Sequence, residues 1–303
     1  MSWSSGDNCR VPAIDRQPVV GTMRIISWNL HGASVPGKAT NEQQRQSWAL
    51  MRDLGADLIL AQEAADNGIP SWLTEKWTVV RGELGRLRKN WRWGSLIAAR
   101  GGLDLRLHEP SLAHPWLAQL YDLVLVGEMT VPGNEPMIIA SVHTTAMRVA
   151  DWTKVYATSL NLSAAELGGI RRPECLEEPY LNDLAFTALA RTIQARPFLV
   201  AGDWNTCRKY AGGSEFFQRA MKLGWVECHQ GAEEKSFFGA NCGDYQLDHA
   251  FCDGATARSI RSCKVLASEN ARKLSDHAPL VIELALWSPS GRPDCFFSEP
   301  SAG

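Results

Sequence analysis

A chain of 303 residues, 45% apolar and 21% charged, has the make-up of a globular protein and is long enough to bury roughly three quarters of its unfolded surface without staples. Its formal net charge of −2 excludes a blanket nucleic-acid binder of the histone kind but not a local basic patch. The eight cysteines form no C-x-x-C pair, which excludes zinc-ribbon and thioredoxin-like readings, and no stretch is apolar for long enough to span a membrane.

Residues 1–22 carry Ser, Gly, Pro and Asp without a usable period and are expected to form a loose arm. They show no apolar core behind a basic start, which points to a cytoplasmic protein with reduced thiols, export by an unrecognised route being the alternative. The fold is expected to begin at Met23, in MRIISWNLHG, and to run as one domain over 23–288. The turn-rich residues 289–303 then trail from it.

RIISWN reads as a first strand, followed by the polar HGASVPGKATN. Thr40 is placed to cap the next helix, with Gln43 reaching back as in a capping box. Trp48, Met51 and Leu54 face the core from that helix, and Gly55 ends it. ADLILAQE is a continuous apolar run of the kind found in a strand covered on both faces. GSLIAAR follows at 94–100; DLVLVGEMTV and PMIIASVHT then read as antiparallel neighbours joined through PGNEP at 132–136.

Residues 151–166 and 180–195 are predicted helices, separated by the irregular GGIRRPECLEEP. FLVAGDWN, YQLDHAFC, ATARSIRSCKVLA and HAPLVIELAL supply later strands, and 213–223 another helix. The order predicts a mixed sheet layered with helices.

Polar residues recur where these apolar runs stop: Asn29, Glu63, His143, Asp203 with Asn205, and Asp276 with His277, while Asp248 interrupts a run. Ligand-binding groups gather at such positions because the strand ends are rigid and the loops adaptable. A charged Glu63 closing LILAQE is costly if buried alone. Glu63, Asn29 and Asp276 offer a hard-oxygen set suited to Mg2+; an ion pair to an arginine is the plainer alternative for Glu63.

His143 and His277 lack the neighbours of a zinc pair. Asp248 can fix the tautomer of His277 and leave its far nitrogen facing an anionic substrate; a satisfied core position is the plainer alternative for each histidine. In an extended GDWN, Asp203 and Asn205 share a face and Trp204 packs on the other. An acceptor beside an amide suits attack of activated water on a phosphoester. Gly202 allows close approach or simply makes a turn.

The ordered series WN (28–29), QE (62–63), VHT (142–144), GDWN (202–205), QLDH (246–249) and SDH (275–277) resembles the endonuclease/exonuclease/phosphatase, or DNase I-like, family over about residues 23–286. The resemblance implies an α/β class fold, a four-layered α/β/β/α sandwich of two packed mixed sheets flanked by helices. It implies Glu63 as principal metal ligand, helped by Asn29 and Asp276, with Mg2+ as the ion and Mn2+ able to substitute. Asp203 orients or deprotonates the water, Asn205 contacts the phosphate, and His277, paired to Asp248, acts with His143 on the phosphoryl group. Gln246 stands where the family has arginine. The carboxylate that usually partners the middle histidine has no clear counterpart; Glu83 is a candidate.

Residues 81–94 carry Arg86, Arg88, Lys89, Trp91 and Arg92 in one segment, able to touch phosphates while a ring stacks, or to form a solvated turn. The preferred reading is a metal-dependent phosphodiesterase, an endonuclease or exonuclease, acting on nucleic acid. Alternatives are a phosphatase or phosphodiesterase for inositol, lipid or other small phosphoesters, and an inactive binding module of the same fold. No amphipathic helix announces a stable membrane association; the oligomeric state is left open, with a monomer plausible. Cys207 has no assigned role.

Overall fold

The computed structural model describes residues 21–32, 40–82, 93–108, 123–145, 181–193, 195–210, 213–229, 231, 233–239 and 243–286. The expected helix at 151–166, the 168–179 segment, the N-terminal arm up to residue 20 and the tail from 287 lie outside them. The described elements, in order, are β1 (Gly21–Asn29), α1 (Asn41–Asp53), β2 (Leu58–Ala65), α2 (Ser71–Lys76), β3 (Trp77–Arg81), β4 (Trp93–Arg100) and β5 (Asp104–Leu107). They continue as β6 (Val124–Thr130), β7 (Met137–His143), α3 (Leu181–Ile193), β8 (Phe198–Asp203), α4 (Gly213–Lys222) and β9 (Val226–Glu227). Last come β10 (Asp248–Cys252), α5 (Gly254–Ser259), β11 (Ile260–Val265), α6 (Glu269–Leu274) and β12 (Leu280–Leu286).

Two six-stranded sheets form, in the orders β11-β12-β1-β2-β4-β3 and β5-β6-β7-β8-β10-β9. Each has a parallel pair at its centre, β1 with β2 and β7 with β8, and antiparallel pairs elsewhere. Alternation along the strands sorts the side chains into layers. Ile25, Leu58, Leu60 and Ile97 meet Leu125, Ile139, Leu199 and Ala250 between the sheets. Ile26, Trp28, Ile59 and Leu96 turn outward under Trp48 and Met51 of α1. On the other side Val124, Ala140, Val200 and Phe251 lie under Leu184 and Leu189 of α3 and Phe216 of α4. Strands covered on both faces are written as unbroken apolar runs, since each large apolar side chain gains about 1.5–3 kcal/mol from burial whichever way it points. This is the four-layered α/β/β/α sandwich.

Local chemistry explains several boundaries. Thr40 accepts from Gln43 N while the Gln43 side chain accepts from Thr40 N, the expected capping box. Gly55, at φ 76°, ends that helix. The expected strand ATARSIRSCKVLA instead opens as helix α5 and becomes strand only at Ile260. Asp253 causes this: its carboxylate accepts from Ala255 N and Thr256 N and caps a helical turn. Asp248 does not interrupt a strand but begins β10, opposite Asp203. Helices α2 and α6 and strands β3 and β5 are too short to stand out by periodicity.

Parallel central strands bring their carboxyl ends to one edge, so Asn29, Gln62, His143 and Asp203 arrive together. Gly202 lies inside β8 rather than in a turn. A Cβ there would sit 2.7 Å from the Val142 carbonyl carbon and closer still to its oxygen, so only glycine admits β7 at this height. Gly202→Ala should therefore destabilise the fold by roughly 3 kcal/mol or more, checked by urea unfolding. A loss below about 1 kcal/mol would show that this close approach is not required.

Candidate active site

Asp203 is 1% exposed at the last position of β8. Its Oδ1 accepts Asn205 N (2.9 Å) and its Oδ2 accepts Asn29 Nδ2 and Asn205 Nδ2, both at 3.0 Å. His277 Nε2 lies 3.6 Å and His143 Nε2 3.8 Å from the same Oδ2. Asp203 and Asn205 do meet, though not as neighbours on an extended strand. The strand stops at Asp203, and Asn205 takes a left-handed backbone at φ 48°, folding its side chain back. Asn205 Nδ2 also donates to Thr144 O (2.6 Å), so both of its hydrogens are used. Trp204 packs away, fully buried among Phe186, Phe216 and Phe251.

On the other flank, His277 Nδ1 meets Asp248 Oδ2 at 2.8 Å, and Ser236 Oγ donates to that same oxygen at 2.7 Å. Asp248 Oδ1 is buried with no hydrogen-bond partner among the described residues. The His277 backbone is pinned as well: Trp28 Nε1 donates to His277 O (2.8 Å), and Ser275 Oγ accepts from His277 N while donating to Asn29 O. Trp28 is thus both a packing residue and a support for the loop that carries the histidine.

Glu63 is 5% exposed and sits in an irregularity of β2 between Ala61 and Ala64, at φ 49°. Gln44 of α1 holds the distorted backbone, donating to Leu30 O and Glu63 O and accepting from Ala65 N. Glu63 Oε1 lies 3.5 Å from His143 Nε2, so one imidazole nitrogen faces both Glu63 and Asp203. A Cβ on Gly32 would come within 2.8 Å of Glu63 Oε2; the missing side chain lets the turn after β1 lie against the carboxylate. Asn29 Oδ1, given to a metal by sequence, accepts His31 N (3.0 Å). Asp276 pairs with His31 Nδ1, and Phe238 N donates to its backbone oxygen (2.6 Å).

Burial pushes the Asp203 carboxyl above its ordinary range, and nearby Asp248 adds to the rise against the opposing charges of His277 and His143. Burial works against a charged His277, yet Asp248 and Asp203 outweigh it and hold the imidazole up to about 10. Asp203, Asp248 and His277 form a buried cluster of metal-ligating type, one donor atom of each lying within 4.8 Å of the others. Asp248 Oδ2 is engaged with His277 Nδ1, while Asp248 Oδ1 has no hydrogen-bond partner among the described residues and His277 Nε2 faces Asp203. Glu63, beside His143, and Asp276, next to His277, add oxygen donors, a hard set that suits a divalent cation rather than a thiophilic ion.

Of the residues singled out by sequence, Asn29, Glu63, His143, Asp203, Asn205, Asp248, Asp276 and His277 all lie at this one edge. Arg86, Arg88, Lys89, Trp91 and Arg92, and with them Glu83, lie outside the described residues. His143 Nδ1 is buried without a hydrogen-bond partner among the described residues, and the Trp93 ring lies 5.7 Å from the imidazole. Cys207 is buried, and its thiol is pushed up by that burial. Gln44, Ser236, His31 and Phe237 were not singled out. Phe237 packs 4.9 Å from the His277 ring. Gln44 left one trace: a polar residue on the helix stripe that also carries Ser47, Trp48 and Met51.

No family model matches the sequence, and no curated protein matches it. Solved structures do match the fold. The AP endonuclease LMAP from Leishmania major is 15% identical, with 87% of this chain and 88% of that one aligned at a TM-score of 0.57. The 3'-5' exonuclease NExo from Neisseria meningitidis is 17% identical, covering 88% and 100% at 0.55. An endonuclease/exonuclease/phosphatase from Bacteroides vulgatus is 12% identical, covering 88% and 100% at 0.59. At these identities the shared property is the fold.

In metal-free protein the His277 ring should stay protonated on both nitrogens through neutral pH. Its folded value is raised, so its stabilising contribution is complete below the free-imidazole value near 6.5 and is lost as pH rises through about 10. Ring nitrogen NMR of metal-free wild type and Asp248→Asn checks this: the variant should titrate at lower pH. A wild-type ring already neutral at pH 7 would contradict the arrangement.

Proposed function

We propose that this chain, which shares the fold of the endonuclease/exonuclease/phosphatase superfamily, is a metal-dependent phosphodiesterase that hydrolyses nucleic-acid phosphodiester bonds by attack of water. One observation carries the reading. A buried carboxylate, Asp203, lies between two imidazoles, one backed by a second carboxylate and the other facing Glu63. Proton acceptor, protonated donor and oxygen-rich metal position are within a few ångströms of one another, as phosphoester hydrolysis requires.

Asp203 takes the proton from the attacking water. Its raised affinity for protons suits that task, and the donors from Asn29 and Asn205 fix the direction in which its oxygens point. Asn205 acts first on Asp203, because both hydrogens of its amide are spent within the protein. A phosphate contact from it requires one of these bonds to exchange. His277, held protonated by Asp248, presents Nε2–H where charge develops on the phosphoryl oxygens. His143 bridges the Glu63 and Asp203 sides.

Glu63 and Asp276 would hold a divalent ion, with Asp203 nearby; such an ion supplies Lewis-acid stabilisation of phosphoryl charge. We assign Mg2+ to this position, with Mn2+ as a substitute. Two aromatics at the lip favour nucleic acid over a small phosphoester. Phe237 lies against His277, and Phe238 lies 5.3 Å from both Lys235 and Arg272. A ring beside cations suits a base or sugar with its phosphate.

Glu63→Ala and Asp203→Asn should each lower kcat on a generic phosphodiester by roughly tens-fold or more while the protein stays folded. EDTA should abolish activity and Mg2+ or Mn2+ restore it. Normal turnover by either folded variant, or activity that persists in EDTA, would refute the mechanism. Supercoiled plasmid, single strands, RNA, inositol phosphates and sphingomyelin, compared side by side, decide the substrate class. Strong activity on a small phosphoester with none on nucleic acid would select the alternative.

A further inference from the structure

Directly behind Asp248 lies a histidine with no part in the chemistry above. His249 is fully buried, and its two ring nitrogens are held from opposite sides. Nδ1 meets Glu227 Oε1 at 3.0 Å; Nε2 lies 2.8 Å from Gln246 O and 3.0 Å from Thr206 O. Carbonyl oxygens only accept, so Nε2 carries a hydrogen shared between two backbone groups.

The carbonyls belong to the two segments that must stay in register. Thr206 follows Asn205 in the loop after β8, and Gln246 stands two residues before Asp248. One further backbone bond, Trp204 N to Leu247 O (2.9 Å), and the Asp203–Asp248 register pair join the same segments. The ring itself has little freedom. Glu227 is paired to Arg208, the Arg208 guanidinium lies 4.1 Å from the Phe217 ring, and Phe217 packs edge-on to His249 at 4.9 Å.

We infer that His249 is a positioning residue for the proposed hydrolysis: by tying the Thr206 and Gln246 carbonyls together, it sets the separation of Asp203 and Asp248. The separation matters because His277 is gripped from both ends, Nδ1 by Asp248 and Nε2 facing Asp203. A loosened tie lets the two carboxylates drift apart, and the imidazole then follows one of them. Small displacements of reacting groups cost rate far more than affinity. Glutamine is the conservative replacement, since its amide nitrogen reaches the position of Nε2 and offers a hydrogen to each carbonyl. Leucine fills the space without a donor.

The inference rests on the hydrolytic reading, so its test has two arms. Steady-state hydrolysis of bis(4-nitrophenyl) phosphate with Mg2+ is compared for wild type, His249→Gln and His249→Leu, alongside thermal unfolding. His249→Leu should lose roughly ten- to hundred-fold in kcat with KM changed by less than about threefold, and His249→Gln should recover most of that loss. Unchanged kcat per folded molecule in His249→Leu overturns the assignment, as does an equal loss in both variants.

The second arm reads backbone amide NMR shifts. Asn205 and Asp248 should move in His249→Leu and lie near wild type in His249→Gln; wild-type shifts in both overturn the tie. Should His249→Leu not fold, Glu227→Gln replaces it: a loss of kcat with shifts at Asn205 and Asp248 supports the tie, and neither overturns it. A wild type that hydrolyses no phosphoester refutes the function proposed for the site, and the shifts alone then decide the tie.

Discussion

The buried carboxylate of Asp203 is the constraint on which the site depends. It ends a central strand of one sheet, yet Asn29, which ends a central strand of the other, donates to it. The hydrogen bond therefore crosses the interface between the sheets. Just beneath, Gln62 Nε2 reaches Ser141 Oγ at 2.9 Å and Ser141 Oγ donates to Ala61 O, and further along Ser95 Oγ donates to Leu123 O, so polar crossings recur in a largely apolar seam. Buried polar groups of this kind are costly when unpaired. Any relative slip of the sheets would strand them, so sheet packing and site geometry are one constraint.

The layers were legible because strands covered on both faces must be written as apolar runs, and LILA and FLVA are such runs. The capping box at Thr40 and the PGNEP connection were legible for local reasons. Short elements were not. Asp253 looks like one more polar residue in a strand-like segment until its carboxylate is seen to cap α5. Strands β3 and β5 and helix α2 are too short to show a period, and so is α6, although Ser268 caps it locally.

For the site, the residues singled out by motif converge on one edge of the sandwich, and what sequence does not show is the route by which some of them reach it. Strand alternation predicts Asn205 beside Asp203, and the chain makes that contact through a left-handed turn instead. The amide oxygen of Asn29, the atom expected to face a metal, accepts the His31 N–H, a contact that motif spacing does not reveal. His31, Gln44 and Ser236 escaped notice because their roles are supporting ones. Each binds a functional carboxylate or the backbone around it, and such a role depends on distance in space rather than on spacing along the chain.

The backbone shows where the fold bears the cost of this arrangement. Among the described residues, the non-glycine positions with positive φ are His31, Glu63 and Asn205, and all three lie at the edge that carries Asp203. Each left-handed residue costs roughly 1–2 kcal/mol, asparagine less than glutamate, against a net stability of about 5–15 kcal/mol for a typical protein. Each is held by a side chain-to-backbone bond: His31 N to Asn29, Glu63 O from Gln44, and Asn205 N to Asp203. Two of those three clamps are themselves site residues. Strain and site geometry therefore cannot be relaxed separately: regularising the backbone at Glu63 would swing its carboxylate away from His143, and doing so at Asn205 would release Asp203.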